Sequence, residues 1–253
     1  MAQVLACMRQ STRSSSPPAR HSSAHKLSVS VARMQAIDRE AIERIGVPRL
    51  VLMDHAGRAI AQAAAALMKS KPAAWPSRSI LICCGTGFNG GDGLSAGRHL
   101  ESMGYAIKVA LLGRWDHLRD EPATYANILR HLDVPIIEIE SPASWSRLRR
   151  WLAAAPLLID ALLGIGVRGA VREPMPRLIA QMNRVQVPIV AADVPSGLDA
   201  DTGLVQGAAV KAAVTVSFGL PKRGCLIAEG PAHTGRLLVD AITIPQRLLT
   251  VRG

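Results

Sequence analysis

From Ser30 onward apolar residues recur at helical spacing, with Val31, Met34, Ile37, Ala41, Ile42 and Ile45 on one stripe that stops at Gly46. Ser30 is placed to cap this helix, and a second helix is expected over residues 50–68. The period then changes. Residues 80–84 form a short apolar run, β-branched at its start and bounded by glycine, which reads as a buried parallel strand. Beyond it the signals alternate: a helix to about 103, strand 106–112, helix 121–132, strand 135–139, helix 144–154, strand 157–159, helix 174–183 and strand 188–194. Later strands are expected near 210–218 and 237–242. Such alternation predicts an α/β domain with a mostly parallel sheet covered by helices on both faces. Ligands of these sheets bind beyond the carboxyl ends of the strands.

Composition agrees with that architecture. Hydrophobic residues make up 49% of the chain but aromatics only 3%, so the core must be built from Ala, Leu, Ile and Val. A length of 253 residues suits one such domain, placed at 29–253 behind a tail of residues 1–28. The tail is rich in Ser, Arg, His and Pro without an acid and is expected to be disordered. It equally fits an organellar transit segment, a bacterial extension or an upstream alternative start. The domain is accordingly expected in the cytoplasm, or in an organelle if the tail is a transit segment.

The densest chemical signal is SILICCGTGFNGGDGLSAGRHL, residues 79–100, where Gly85, Gly87, Gly90, Gly91 and Gly93 surround Asn89 and Asp92. Glycines collect where the backbone needs positive φ or comes close to a bound group. A helix starting near Asp92 would turn its free N–H groups back into the loop, where phosphate or carboxylate oxygens are stabilised. The Walker pattern fails, because Gly90 is followed by Gly91 and Asp92 rather than by Lys and Ser or Thr. Gly85-x-Gly87-x-x-Gly90 fits the dinucleotide fingerprint, a weak motif by itself. Its confirming acid is missing, since the second strand ends at Gly113-Arg114 with Asp116 the nearest carboxylate. The plain alternative is that Asp92 caps a helix and the glycines only make a tight turn.

Two more polar clusters begin where apolar strands end. Asp160 closes LLID and opens ALLGIGVRGAVREP; Asp193 closes IVAAD and opens VPSGLDADTG. Three strand ends would thus deliver Asn89, Asp92, Asp160, Asp193 and Ser196 to one crevice. Gly164, Gly166 and Gly169 would let a second loop pack over a ligand. Carboxylates gathered beside an anion-binding loop repel it and each other, so a hard cation or a raised pKa should relieve them. Asp160 alone could equally be a strand-end turn residue, residues 193–197 could be a tight turn, and Asp199 and Asp201 read as turn acids.

Charge and metal-ligand spacing exclude more than they suggest. Of the formal charge of +11, Arg9, Arg13, Arg20, Lys26 and Arg33 all precede the first acid, Asp38. Aromatics for base stacking are scarce, so nucleic acid is not expected as a partner, and Arg147, Arg149 and Arg150 read as a solvated helix face. No run reaches the length of a membrane span. Cys7, Cys83, Cys84 and Cys225 contain no C-x-x-C pair, which indicates a reducing compartment and no structural zinc. The seven histidines show no metal-binding interval.

With these motifs in view the chain resembles the NAD(P)H-hydrate epimerase family, the YjeF N-terminal domain family. The likeness runs through ARMQAIDREAI, LVLMDHAGRAIA, CGTGFNGGDGLSAGRHL, DALLGIGVRGAVREP, ADVPSGLDADTG and VSFGLPKRGCL, in the family's order over about residues 32–245. It implies a three-layer α/β/α Rossmann-like domain, a homodimer, and one potassium ion per subunit, with no zinc, haem or flavin. By position it implies that Phe88, Asn89, Gly90, Gly91 and Asp92 line the pocket of a hydrated nicotinamide nucleotide. Gly164, Ile165, Gly166, Val167, Arg168, Gly169 and Ala170 would line it from the second loop. Asn89, Asp160 and Ser196 would hold the potassium, and Asp193 would contact substrate. Two positions depart from the family: Phe88 stands where an Asn is usual, and His55 replaces the Asn of M-E-N-A-G.

The implied reaction interconverts the R and S epimers of NADH or NADPH hydrated at C6 of the ring, one of which a separate dehydratase returns to the coenzyme. The hydroxyl must leave and return on the opposite face through a cationic ring. Asp193 is the candidate to donate and retrieve the proton, and no covalent nucleophile is needed. The rivals are a non-catalytic nucleotide- or RNA-binding scaffold of the same fold and an ordinary NAD(P)-dependent dehydrogenase.

Overall fold

A computed structural model describes residues 28–69, 79–166 and 169–250. Apart from Ser28, the tail expected over 1–28 lies outside the described residues. Seven strands, β1 (Ile80–Cys84), β2 (Ile107–Leu111), β3 (Ile136–Glu138), β4 (Leu158–Ala161), β5 (Ile189–Ala192), β6 (Val214–Phe218) and β7 (Arg236–Asp240), form one sheet in the order β3-β2-β1-β4-β5-β6-β7. Each neighbouring pair is parallel. The sheet grows one way from β1 through β2 and β3 and the other way from β4 onward, so a crevice opens between the ends of β1 and β4.

Helices α1 (Val31–Arg39) and α2 (Arg49–Lys69) precede β1. Helices α3 (Phe88–Ser102), α4 (Asp120–His131), α5 (Pro142–Ala154) and α6 (Met175–Arg184) make the crossovers, and short α7 (Gly230–Thr234) and α8 (Gln246–Leu249) follow β6 and β7. Strand β1 shows why two helical layers are required. Ile80, Ile82 and Cys84 pack into a core shared with α1 to α4, whereas Leu81 and Cys83 turn into a second core with α5 and α6. All five are buried, and each large aliphatic side chain so placed contributes roughly 1.5–3 kcal/mol. This is the three-layer α/β/α arrangement that the alternation of signals implied.

Small residues set the closest contacts. Ala56, Ala59, Ala63 and Ala64 of α2 are buried, and a methyl group added at Gly57 would lie 2.2 Å from Ser95 Oγ on α3. That proximity draws α2 and α3 over the crevice.

Element ends differ from the sequence expectation in informative places. Helix α3 begins at Phe88, with Gly87 as its N-cap, instead of near Asp92. Its first turns therefore lie inside the glycine segment and Asp92 caps nothing. The first helix is α-helical through Arg39, with Ser30 Oγ accepting from Arg33 N at 3.2 Å, and then widens into a π-helical turn over Glu40–Arg44 before Gly46. Helix α5 starts at Pro142, because Ser141 and Ser144 cap each other reciprocally and proline suits the first helical position.

Candidate active site

Five of the glycines singled out in the sequence, Gly85, Gly87, Gly90, Gly91 and Gly93, have negative or extended φ, so left-handed backbone is not their reason. Close packing is. A Cβ on Gly90 would sit 1.9 Å from the Gly85 carbonyl oxygen, and one on Gly93 would sit 2.4 Å from Ala161 Cβ. Helix α3 is thereby pressed onto the ends of β1 and β4. At Gly87 an added Cβ would meet nothing within 4 Å, because that position faces an open cavity.

The cavity has a volume of about 1070 Å³ and occupies the crevice at the switch of strand order. Phe88, Asn89 and Asp92 of α3 line one wall, and Gly164, Ile165, Gly166, Gly169 and Ala170 line another. Val167 and Arg168 lie outside the described residues. Gly90 and Gly91 are buried behind the wall: a Cβ on Gly91 would touch Met53 and Pro122 at 2.7 and 2.8 Å. They shape the cavity without lining it.

Beneath the floor, Asp160 is fully buried at the end of β4. Its Oδ1 accepts from Ser196 Oγ at 2.6 Å and from Leu162 N at 3.3 Å, and Oδ2 accepts from Ser196 N at 2.8 Å. Ser196 Oγ also accepts from Leu163 N at 2.9 Å, while Asn89 Nδ2 donates to the Leu163 carbonyl at 2.8 Å. The three residues thus converge around the backbone of Leu163. Burial pushes the Asp160 carboxyl up to about 6, although the Ser196 and Leu162 bonds oppose it. No cationic side chain bonds to it among the described residues, so a carboxylate here is short of positive charge. Carboxylate, hydroxyl, amide and carbonyl oxygens form a donor set suited to a hard cation, not to zinc.

The second acidic centre is different. Asp193 follows β5 with φ +64, a costly conformation for a residue with a side chain, and it is 7% exposed. Its Oδ1 accepts from Phe218 N at 3.0 Å, from Ser217 Oγ at 3.5 Å and from the Lys222 ammonium. Lys222 is 1% exposed and also donates to the Phe218 carbonyl at 2.6 Å. Asp193 and Lys222 both reach the cavity.

Two contributors were not singled out by sequence reasoning. Lys222 lies in VSFGLPKRGCL, where a lone lysine among apolar and glycine residues was the available signal. Asp38 of α1 shares the cavity wall with Met34 and Ile42 at fourfold spacing, so an acid interrupting the apolar stripe was its signal. Burial, together with Asp193, holds the Asp38 carboxyl up at about 6 against the pull of Lys222 and Arg49. Asp92 is raised well above the usual carboxylate range by burial and by the neighbouring charges of Asp193 and Asp38, with Lys222 opposing.

Other expected residues lie elsewhere. Asp199 is a turn acid, its Oδ1 accepting from Asp201 N at 2.9 Å and Thr202 N at 2.7 Å; Asp201 Oδ1 accepts from Val31 N at 2.9 Å. His55 Nδ1 lies 3.3 Å from the Arg58 guanidinium, and His55 is not among the cavity-lining residues. Asp116 is an exposed partner of Arg114, with a bond of 2.9 Å to Nε. Arg147, Arg149 and Arg150 are exposed, and Arg147 lies over the Trp151 ring at 5.1 Å.

Strand order, helical layers and a crevice at the switch point together define a Rossmann-like α/β protein. The chain belongs to the family described as YjeF-related protein N-terminus, which matches residues 49–224. It is similar to the NAD(P)H-hydrate epimerase of Limosilactobacillus fermentum, with 37% identity over 211 residues covering 83% of this chain and 94% of that protein. The bifunctional NAD(P)H-hydrate repair enzyme Nnr of Pyrobaculum aerophilum is 42% identical over 228 residues, covering 89% of this chain. The chain spans under half the length of that relative and of its Moorella thermoacetica counterpart, 44% and 42% respectively. The crystal structure of yeast YNL200c superposes with a TM-score of 0.71 at 28% identity, covering 82% of this chain and 86% of the yeast one.

Proposed function

We propose that this domain is an NAD(P)H-hydrate epimerase, an isomerase that interconverts the R and S forms of NADH or NADPH hydrated at C6 of the nicotinamide ring. The observation that carries the reading is the buried Asp193–Lys222 pair opening into the cavity that the Asn89 loop and the Gly164 loop enclose. Fold membership alone would not separate an enzyme from a scaffold. A buried ion pair whose acid is held in left-handed backbone is a costly arrangement, and such cost gathers at working sites.

The chemistry asked of the residues is modest. The C6 hydroxyl must leave with a proton, and the resulting ring cation must last long enough for water to add to its other face. Carboxylates at the cavity wall favour that cation, and a site sheltered from bulk water makes the attraction stronger. Asp193 takes up a proton at Oδ2, which has no bonded partner among the described residues, while Lys222 keeps Oδ1 engaged. The N–H groups that begin α3 at Phe88 and Asn89 suit the nucleotide's phosphates.

Asn89, Asp160 and Ser196 would hold one potassium ion per subunit. The fit rests on the buried Asp160 carboxyl, which only neutral donors meet, and on the all-oxygen set around Leu163. Bound there, the ion would supply positive charge beneath the floor and fix the two loops in register. The reading further implies a homodimer and a separate dehydratase that consumes one epimer. No helix among the described residues is long and apolar enough to cross a membrane. A dehydrogenase would call for an acid on the nucleotide ribose at the end of β2, where Asp116 is instead exposed and paired with Arg114.

Replacing Asp193 with Asn tests the assignment. The variant should bind the hydrated nucleotide yet equilibrate its epimers at least about 100-fold more slowly. An Asp193→Asn chain with the parent rate would remove Asp193 from the reaction.

A further inference from the structure

In one direction the reaction needs a group that arrives holding a proton, and the bonds around Asp193 fit it to the opposite, accepting role in that direction. Every neighbour bonded to its Oδ1 is a donor: the Lys222 ammonium, the Phe218 N–H and the Ser217 hydroxyl. An oxygen so surrounded is fitted to accept and to face positive charge. Two other carboxyl groups line the same cavity, Asp92 from α3 and Asp38 from α1. Neither has a hydrogen-bond donor among the described residues, in contrast to Asp193 and Asp160.

Resting on the epimerase reading of this site, we propose that Asp92 is the acid that hands a proton to the departing hydroxyl and that Asp38 is the positioning residue beside it. Burial favours the neutral form of both side chains, and the charge of Asp193 and then that of ionised Asp38 add to the pressure on Asp92. The charged groups facing Asp92 are Asp38 from α1, Asp193 after β5 and Lys222 after β6; Asp38 in turn feels Arg49 of α2. Two unlike carboxyl environments thus share one cavity: Asp193 bonded to an ammonium, Asp92 bonded to no cation among the described residues. Such a split assigns one group as acceptor and the other as donor.

The step balances without any redox partner. The O–H bond of Asp92 breaks and its proton joins the C6 hydroxyl oxygen. The C6–O bond breaks with its electron pair leaving on water, and positive charge remains on the ring, shared with its nitrogen. Water then adds through oxygen to the other face, and its surplus proton passes to Asp193. The reverse reaction exchanges the two roles, and protons re-equilibrate with solvent through the cavity mouth between turnovers.

The test follows epimer ratios of hydrated NADH with the purified full chain across mildly acidic to alkaline pH. Asp92→Asn should lower kcat by more than about 100-fold with KM within about threefold. Asp38→Asn should move the alkaline limb of kcat to lower pH, because losing a neighbouring negative charge lets Asp92 release its proton sooner. A purely structural role for Asp38 would leave that limb in place. An active wild type whose Asp92→Asn variant keeps the parent rate overturns this proposal alone, as does an unmoved limb in Asp38→Asn. A wild type without epimerase activity overturns the underlying reading as well. If Asp92→Asn does not fold, the pH profile of Asp38→Asn decides.

Discussion

Lys222 directs its buried ammonium at Asp193 Oδ1 and completes its bonding on the Phe218 carbonyl at 2.6 Å. The two residues come from turns after neighbouring strands, β5 and β6, which places an ion pair at the carboxyl edge of the sheet. Taking two charges from water is expensive, and the pair persists because each charge answers the other. Lys222→Met should therefore destabilise the fold by about 3–5 kcal/mol, read from urea unfolding, since it strands a carboxylate. The Lys222→Met, Asp193→Asn double variant should lose clearly less than the sum of the two singles. Additive losses would mean that the pair carries no coupling.

Asp38 gives a pH signature with a definite sign. Its carboxyl has an ordinary value of 3.8 and stands at about 6 in the fold. Between those values the folded chain holds a proton that the unfolded chain has released, so this residue makes stability fall as pH rises through the window. Below it the penalty is absent, and above it the penalty is complete. Asp38→Asn should gain on the parent as pH climbs from below 4 to above 6, with a constant offset beyond. A urea midpoint difference that does not change across the window would contradict this.

The cation assignment predicts a selective stabilisation. Potassium chloride should raise the melting temperature of the parent more than tetramethylammonium chloride at equal ionic strength, since a ligand that binds only the folded state stabilises it. Asp160→Asn should melt at the same temperature in both salts. Its buried carboxyl is gone, while the amide oxygen still accepts from Ser196.

Gly87 and Gly90 should separate wall from scaffold. Gly90→Ala places a methyl group 1.9 Å from the Gly85 carbonyl, and the chain should lose more than about 3 kcal/mol or fail to fold. Gly87→Ala meets nothing within 4 Å, so stability should stay within about 0.5 kcal/mol while KM for the hydrated nucleotide rises. Equal effects in melting and kinetics at both positions would refute the division.

Phe88 is 49% exposed at the cavity mouth with the Arg49 guanidinium 4.6 Å from its ring centre. Phe88→Asn, which restores the family's usual residue, should cost no more than the roughly 0.5–1 kcal/mol of that contact and leave kcat within about twofold. A collapse of kcat would place the ring in the chemistry instead.

The layered fold and most strand positions were legible because β1 and β5 are uninterrupted apolar runs and β4 is broken only by Asp160, the mark of strands buried on both faces. Asp160 was legible because it interrupts an apolar run near its end, and Asp193 and Ser196 because they follow one. The start of α3 was not. Glycine at three positions of its first two turns argues against helix by propensity, and only packing against β1 and β4 overrides that. Lys222 and Asp38 stayed hidden for a related reason: their roles depend on which distant elements face them. A lysine buried by the turn after β6 and an acid on the inner stripe of α1 acquire meaning only once the sheet order is known.

The central claim is most directly tested by giving the purified chain, in potassium buffer, hydrated NADH strongly enriched in one C6 epimer and following the epimer ratio by chromatography. The account predicts relaxation to the equilibrium ratio far faster than without protein, with Asp193→Asn leaving the mixture near its uncatalysed rate. A folded parent chain that leaves the ratio drifting at the uncatalysed rate would contradict it.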